Sequence, residues 1–375
     1  MNINISKENL LDSLIKVGKG ITGKSTNMAL SGVYIIAEGK NIIFRGTDID
    51  ISIETSVEAE VLIGGSLLVD YKMLLEIVRK LPNDLVSIDS EEGEEVTINC
   101  KKSNFKILTM DYKEYPNFPK LKDENTTSIL VNQSILKELI SSVSYAASQD
   151  DTRPILKGIL IELIGNKLNL VALDGYRLAI SSNIITSSSK DTSAVIDCKH
   201  FIEISKLLNQ KGAVEIGITS NNILFKVDET TIICRLLEGK FINYNSLISN
   251  ENKFKFDIDR LAFLSALDRA ILVNKGDGQN LIKLTIDKNG EKLNISSRSQ
   301  VGNSSEEINI SNVEGLSEEF KIGFNSKYLL DILKNNYNDE ICMSGISELQ
   351  PCIIRGKDIS KDIETHLVLP VRIVL

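Results

Sequence analysis

The chain has 375 residues, room for two or three domains, and an ordinary globular composition, with 42% hydrophobic residues, 25% charged, six prolines and no tryptophan. A formal net charge of −8 gives no whole-chain sign of nucleic-acid binding, so any such role has to rest on locally basic surface. Five cysteines without a CxxC pair, with only His200 and His366 to join them, argue against a zinc site or a disulfide framework and fit reduced thiols in a cytoplasm. No apolar run reaches the roughly 18 residues of a membrane span, and MNINISKENL at the start lacks the regions of a signal peptide.

The first predicted element is a helix opened by Ser6. Ile5 before that cap and Leu10 four residues after it form a hydrophobic staple, and Leu10, Leu11, Leu14 and Ile15 continue the stripe. The same start recurs at Asn132, with Val131 and Leu136, and at Asp257, with Phe256 and Leu261. The spacings are 126 and 125 residues.

Residues Gly18–Ser25, GKGITGKS, match G-x-x-x-x-G-K-[ST] letter for letter. A nucleotide-binding loop needs a buried strand before it and a helix after it. Here a helical stripe precedes and the strand-like ALSGVYIIAEG follows, so the segment reads as a helix-to-strand loop with Lys24 at its tip. The equivalent stretch of the second third, AASQDDTRPILKG, puts Arg153 in a similar place. The rival reading is an ATPase using Lys24 and Ser25, which predicts nucleotide binding lost in Lys24→Ala.

Period-2 alternation then marks paired strands at Lys40–Val57, repeated at Lys167–Ser182 and Lys292–Ile310. Asp48 and Asp174, 126 residues apart, fall at the turns. A hydrolase built on these two acids would lack a histidine or metal-like partner nearby in sequence, and turn chemistry explains them.

The next element, VDYKMLLEIVRKLP at Val69–Pro82, is present three times, with IDCKHFIEISKLLN at Ile196–Asn209 and FNSKYLLDILKNNY at Phe324–Tyr337. In each copy a cap (Asp70, Asp197, Asn325) is followed after two positions by a lysine (Lys72, Lys199, Lys327). Six positions after the cap stands an acid: Glu76, Glu203 or Asp331. A lysine in a first helical turn opposes the helix dipole, at a cost of a few tenths to roughly 1 kcal/mol. Breaking that rule three times at one offset points to a use for the charge. A hairpin with an acidic turn, Ser87–Cys100, and its copy at Val214–Gly239 complete the repeated set.

The chain therefore reads as three tandem α+β domains, about 1–126, 127–253 and 254–375, each with two helices packed on antiparallel sheet.

The triplication, LVALDGYRLAI, LLEGKFINY and the ending HLVLPVRIVL together resemble the bacterial DNA polymerase III beta subunit family, the sliding clamps, over the whole chain. The resemblance implies a non-catalytic processivity factor with no cofactor and no metal. Two three-domain protomers would join head to tail into a six-domain ring whose helices line a hole holding duplex DNA. Six helices per chain are too few to surround a duplex, so closure needs two chains. First-turn lysines facing such a hole would attract phosphates without reading bases, which suits sliding.

The DNA-facing set implied by the resemblance is Lys24, Lys72, Arg79, Gln149, Arg153 and Lys199, and the internal repeat adds Lys327. Some clamps carry paired tyrosines after the arginine equivalent to Arg153; here Pro154 and Ile155 follow. A groove for a short peptide motif of the polymerase, clamp loader and repair proteins would be formed by Leu156, Leu173, Gly175, Tyr176, Arg177, Leu178, Ile242, Leu247, Pro351, Val368, Leu369, Pro370, Val371 and Arg372. The apolar tail Ile373, Val374 and Leu375 is placed to cover part of it. The homodimer interface would set Phe105 and Ile107 against Ile271 and Leu272.

Overall fold

The computed structural model describes residues 1–21, 27–90, 95–119, 127–186, 190–249, 251–274, 280–287, 290–316, 318–357 and 364–373. The first third contains β1 (Asn2–Ser6), α1 (Lys7–Val17), β2 (Gly32–Glu38), β3 (Asn41–Thr47), β4 (Ile51–Glu58), β5 (Glu60–Ile63), β6 (Gly65–Asp70), α2 (Tyr71–Lys80), β7 (Leu85–Asp89), β8 (Glu95–Cys100) and β9 (Ser103–Leu108). The second contains β10 (Thr127–Asn132), α3 (Gln133–Ser144), β11 (Gly158–Ile164), β12 (Lys167–Leu173), β13 (Arg177–Ile184), β14 (Thr192–Asp197), α4 (Cys198–Ser205), β15 (Ala213–Ile218), β16 (Asn222–Val227) and β17 (Thr230–Arg235). The third contains β18 (Phe254–Asp259), α5 (Arg260–Ala270), β19 (Leu281–Ile286), β20 (Lys292–Ser299), β21 (Gly302–Glu314), β22 (Phe320–Asn325), α6 (Ser326–Lys334), β23 (Glu340–Gly345), β24 (Cys352–Gly356) and β25 (Glu364–Val368). Among the described residues each third thus carries two α-helices and antiparallel strands, the α+β repeat that the sequence predicts.

The chain divides into two compact units. One comprises Met1–Ser134, Thr186–Thr192 and Glu203–Leu236; the other comprises Ile135–Ile185, Ser193–Ile202 and Leu237–Leu375. The first unit holds a five-stranded sheet, β5-β1-β7-β8-β9, and an eight-stranded sheet, β10-β15-β16-β17-β4-β3-β2-β6. In the latter, β17 of the second third pairs with β4 of the first, from Thr230 opposite Thr55 to Cys234 opposite Ile51. The two threonine hydroxyls lie 2.9 Å apart and buried at this seam. Burying polar atoms is cheap here because each hydroxyl has the other as partner.

The second unit is built on a twelve-stranded sheet, β14-β11-β12-β13-β25-β24-β23-β18-β21-β20-β19-β22. Its seam joins β13 of the second third to β25 of the third, from Arg177 opposite Val368 to Ser181 opposite Glu364. Phe256, Phe263, Phe324, Leu329 and Val368 are among the fully buried residues of the third repeat's core. The same two roles, a late strand of one repeat and the strand after the Asx turn of another, meet at both seams.

The third helix start needs correction. Asp257 is not a helix cap: it lies in β18, 4% exposed, and accepts a 2.7 Å bond from Asn312 Nδ2. The cap is Asp259, whose Oδ1 accepts from the Ala262 amide at 2.6 Å. The staple is then Ile258 with Phe263, both buried, while Leu261 is 54% exposed. Apolar residues sit at both Phe256 and Ile258 because strand alternation repeats every two positions, so the pattern fits two residues early. The corrected cap falls 127 residues after Asn132.

Gly18 and Gly20 of GKGITGKS have a structural cause. Gly18–Gly20 is a 3-10 turn that continues α1, with no strand before it. A Cβ on Gly18 would lie 1.8 Å from Tyr71 Oη, and one on Gly20 would lie 2.7 Å from the Gly46 carbonyl oxygen of β3. Gly18 leaves room for the Tyr71 ring of α2, and Gly20 lets the helix end press onto the sheet. Lys24 and Ser25 lie outside the described residues.

Candidate nucleic-acid interface and partner groove

Lys72, Lys199 and Lys327 each occupy the second residue of a helix, α2, α4 and α6. Asp70 Oδ1 accepts from the Met73 amide at 2.8 Å, Asp197 Oδ1 from the Lys199 amide at 2.9 Å, and Asn325 Oδ1 from the Lys327 amide at 3.0 Å. The backbone is thus capped by the residue preceding each helix, which leaves the lysine side chains in solvent. Lys199 Nζ stands 3.7 Å from Asp197, a solvent-screened contact. Arg79 is exposed in the last turn of α2, where a cation suits the dipole. Gln149 and Arg153 are exposed on the loop between α3 and β11. That loop is shaped by Asp150, which accepts from the Thr152 amide at 2.9 Å and from its hydroxyl at 2.8 Å. Those two bonds, backbone first, hold the Asp150 carboxyl below its ordinary pKa. Arg153 precedes a 3-10 turn over Pro154–Lys157, so proline rigidifies the position after the arginine.

Asp48 and Asp174 both close turns. Asp48 Oδ1 accepts from the amides of Asp50 and Ile51, and Asp174 Oδ1 from those of Tyr176 and Arg177, all at 2.9–3.1 Å. Gly175 adopts φ +92°, which a side chain would strain.

The Asp174 turn carries the candidate groove. Leu156, Leu173 and Leu178 are buried together with Leu160, Val171 and Tyr244, with Leu369 packed against them. Around them are exposed apolar groups: Tyr176 at 60%, Leu247 at 44%, Ile242 at 37% and Val371 at 41%. Pro351 and Pro370 are half-buried and Arg372 is exposed. The carboxy-terminal segment is fixed by bonds from the Leu369 amide to the Tyr176 carbonyl, 2.9 Å, and from the Val371 amide to the Gly323 carbonyl, 2.8 Å. Ile373 then lies against Gly323 of β22. The described tail therefore follows the edge of the sheet and does not fold back over Leu173; Val374 and Leu375 lie outside the described residues.

Two members of the groove set have other surroundings. Val368 is fully buried in the third repeat's core. Arg177 is not a free rim group. Its Nε donates to Asp174 Oδ2 at 3.0 Å and its Nη1 to Asp331 Oδ2 at 2.6 Å. Its guanidinium lies over the rings of Tyr328 and Tyr145, 4.5 and 5.2 Å from their centroids. Burial opposes its charge, and the two carboxylates outweigh burial, holding its pKa above the ordinary value. Burial also pushes the Tyr145 hydroxyl well up; that hydroxyl lies 2.8 Å from His366 Nδ1. Tyr145, Tyr328 and the Arg177–Asp331 bond were not foreseen. The available signal was the acid at a constant offset in all three helix copies.

The expected interface residues lie on a sheet edge and in a turn after a helix. β9 is the last strand of its sheet, and Phe105 and Ile107 oppose the buried Ile98 and Val96. They extend the core face to an uncovered edge. Ile271 and Leu272 lie in a 3-10 turn after α5; Ile271 is half-buried on the core and Leu272 is 55% exposed.

Among the described residues no group of His, Cys, Asp and Glu is arranged to hold a metal, and no helix is long and apolar enough to cross a membrane. Three tandem α+β repeats, exposed cations at one helical position and an apolar groove define a repeat-built binding protein. Family models for the DNA polymerase III beta subunit match as N-terminal domain over residues 1–119, central domain over 130–243 and C-terminal domain over 245–372. The chain is 30% identical over 382 residues to the beta sliding clamp of Staphylococcus epidermidis, covering 99% of each. It superposes on the DNA polymerase sliding clamp of Bacillus subtilis with a TM-score of 0.94 at 31% identity, covering 100% of both chains. A sliding clamp from Pseudomonas aeruginosa bound to griselimycin gives 0.91 at 27% identity, again over 100% of both. The chain belongs to the DNA polymerase III beta subunit family, the beta sliding clamps.

Proposed function

We infer that two copies of this chain close into a ring around duplex DNA and that the ring tethers a replicative polymerase, clamp loader and repair proteins through their short peptide motifs, in the cytoplasm. The chain acts as a processivity subunit rather than an enzyme. The domain limits we propose are 1–126, 127–253 and 254–375.

The observation that carries the ring is a pair of unsatisfied strand edges. Within the chain, β17 pairs with β4 and β25 with β13. The first repeat's late strand, β9, and the third repeat's strand equivalent to β4 and β13, the Gly302–Asn309 half of β21, each have one outer edge unpaired among the described residues. A third seam of the same kind needs a second chain, and two such heterologous seams close a two-fold ring. Phe105, Ile107, Ile271 and Leu272 would then cover one another.

Lys24, Lys72, Arg79, Gln149, Arg153, Lys199 and Lys327 supply weak, sequence-blind attraction to phosphates, which permits sliding. Leu156, Leu173 and Leu178, rimmed by Tyr176, Ile242, Leu247 and Val371, offer the apolar pocket that a hydrophobic anchor needs.

The deciding experiment loads the protein onto nicked circular DNA with a clamp loader and ATP, then linearises the circle. Retention on circles and loss from linear DNA is expected. Equal retention on both would mean a chemical grip and would sink the ring.

A further inference from the structure

The acid six residues after each lysine-helix cap has a job at two of its three positions. Glu203 on α4 accepts from Lys206 of its own helix at 2.6 Å through Oε1, and its other oxygen, Oε2, faces Lys19, just beyond the end of α1, at 3.4 Å. Asp331 on α6 holds Arg177 at 2.6 Å, and Arg177 rests on Tyr145, just beyond the end of α3. Each acid therefore joins its own repeat to a cation of the preceding repeat, beside the end of that repeat's first helix. The third acid, Glu76 on α2, is exposed and has no hydrogen bond or ion pair among the described residues. One turn before it on the same face, Met73 is 53% exposed, an apolar neighbour equally without cover.

The repeat preceding the first can only be the third repeat of another copy. There the end of the first helix is the last turn of α5, and its cation is Arg269. The Arg269 side chain is 55% exposed although Glu306 Oε2 receives both its Nε, at 3.0 Å, and its Nη2, at 2.5 Å. A guanidinium has five donors, so three remain for a second carboxylate. Ile271 and Leu272 follow directly.

We propose that Glu76 pairs with Arg269 of a second copy of this chain, completing at the inter-chain seam the acid–cation joint that the chain makes twice within itself. This rests on the ring reading above.

The test uses full-length chains carrying Glu76→Lys or Arg269→Glu, with dimer dissociation followed by analytical ultracentrifugation. Each variant alone places like charges at both seams of a ring, and its dimer Kd should rise at least tenfold. Mixed one to one, the two variants place opposite charges at both seams, so mixed dimers should form with a Kd near that of the native chain. Circular dichroism melts should match the native chain; a variant that fails to fold is replaced by Glu76→Gln, for which a several-fold rise is expected. Native Kd values for both single variants, or a mixture no tighter than either alone, would overturn the pairing while leaving the ring intact. A native chain that stays monomeric at all concentrations would overturn the ring reading itself and the pairing with it.

Discussion

Asp331 on α6 accepts a 2.6 Å hydrogen bond from the Arg177 guanidinium at the start of β13, so the third repeat holds the turn that presents Tyr176 and Gly175 to the groove. Removing the guanidinium would leave two carboxylates without their cation and two tyrosine rings without a packed face. Arg177→Ala should cost about 2–4 kcal/mol, since the largely buried Asp174 loses its cation, the half-exposed Asp331 adds a smaller share, and stacking goes with them. Urea denaturation measures this, and a change within about 0.5 kcal/mol would mean that the joint is incidental.

The groove surface should separate binding from stability. Tyr176 is 60% exposed, so Tyr176→Ala removes little buried area. It should weaken binding of a clamp-binding peptide by about 1–2 kcal/mol, roughly five- to thirtyfold, in fluorescence anisotropy, with an unchanged melting temperature. Native affinity would remove Tyr176 from the groove.

The three helix lysines should act additively and through salt. Replacing Lys72, Lys199 and Lys327 by alanine should lower the slope of log affinity against log salt by about 0.9 for each phosphate that is no longer neutralised. Titrating DNA by anisotropy across a range of salt gives that slope directly. An identical slope would return these lysines to ordinary surface charge.

Charging the apolar turn after α5 should separate the chains. With Ile271→Asp and Leu272→Asp together, light scattering should give the mass of one chain. An unchanged dimer mass would exclude Ile271 and Leu272 from the interface.

Alkaline pH should weaken the fold through buried thiols. Burial pushes Cys198 and Cys352 up to about 12. An unfolded thiol ionises near pH 8.5. The folded pKa is the higher one, so the stabilisation is complete below about pH 8.5 and declines as pH rises toward the folded value. Native-state labelling by a maleimide at pH 8 should accordingly be slow at Cys198 and Cys352 and fast in urea. Rapid native labelling at these positions would contradict their burial.

Much of this was legible in the sequence because duplication printed it three times. Cap, lysine and acid recur at fixed offsets, and the structure puts Lys72, Lys199 and Lys327 at one helical position. The Asp257 register failed because strand alternation supplies an apolar residue every second position, so two caps two apart share a pattern. The GKGITGKS match could be set aside from its flanks, a helical stripe before and a strand after, and at Gly20 the glycine serves close approach to the Gly46 carbonyl of β3. The Arg177–Asp174 contact is local, three residues apart, but the rest of the joint was illegible because Tyr145, Tyr328 and Asp331 lie far from Arg177 in the chain. Nothing near Arg177 in the sequence shows a carboxylate arriving from α6.

The β17–β4 and β13–β25 seams have a consequence for how the protein is made. The middle repeat lends its first strand, β10, and its last three, β15–β17, to one sheet and β11–β14 to another, so the segment that was duplicated is not the segment that folds. A ribosome releasing the second repeat completes the first compact body while leaving β13 waiting for β25, which is made long after it. Excising any one repeat should give an aggregation-prone fragment with a raw sheet edge, and shuffling repeats between relatives should succeed only when the cut follows the sheets and ignores the period of the sequence.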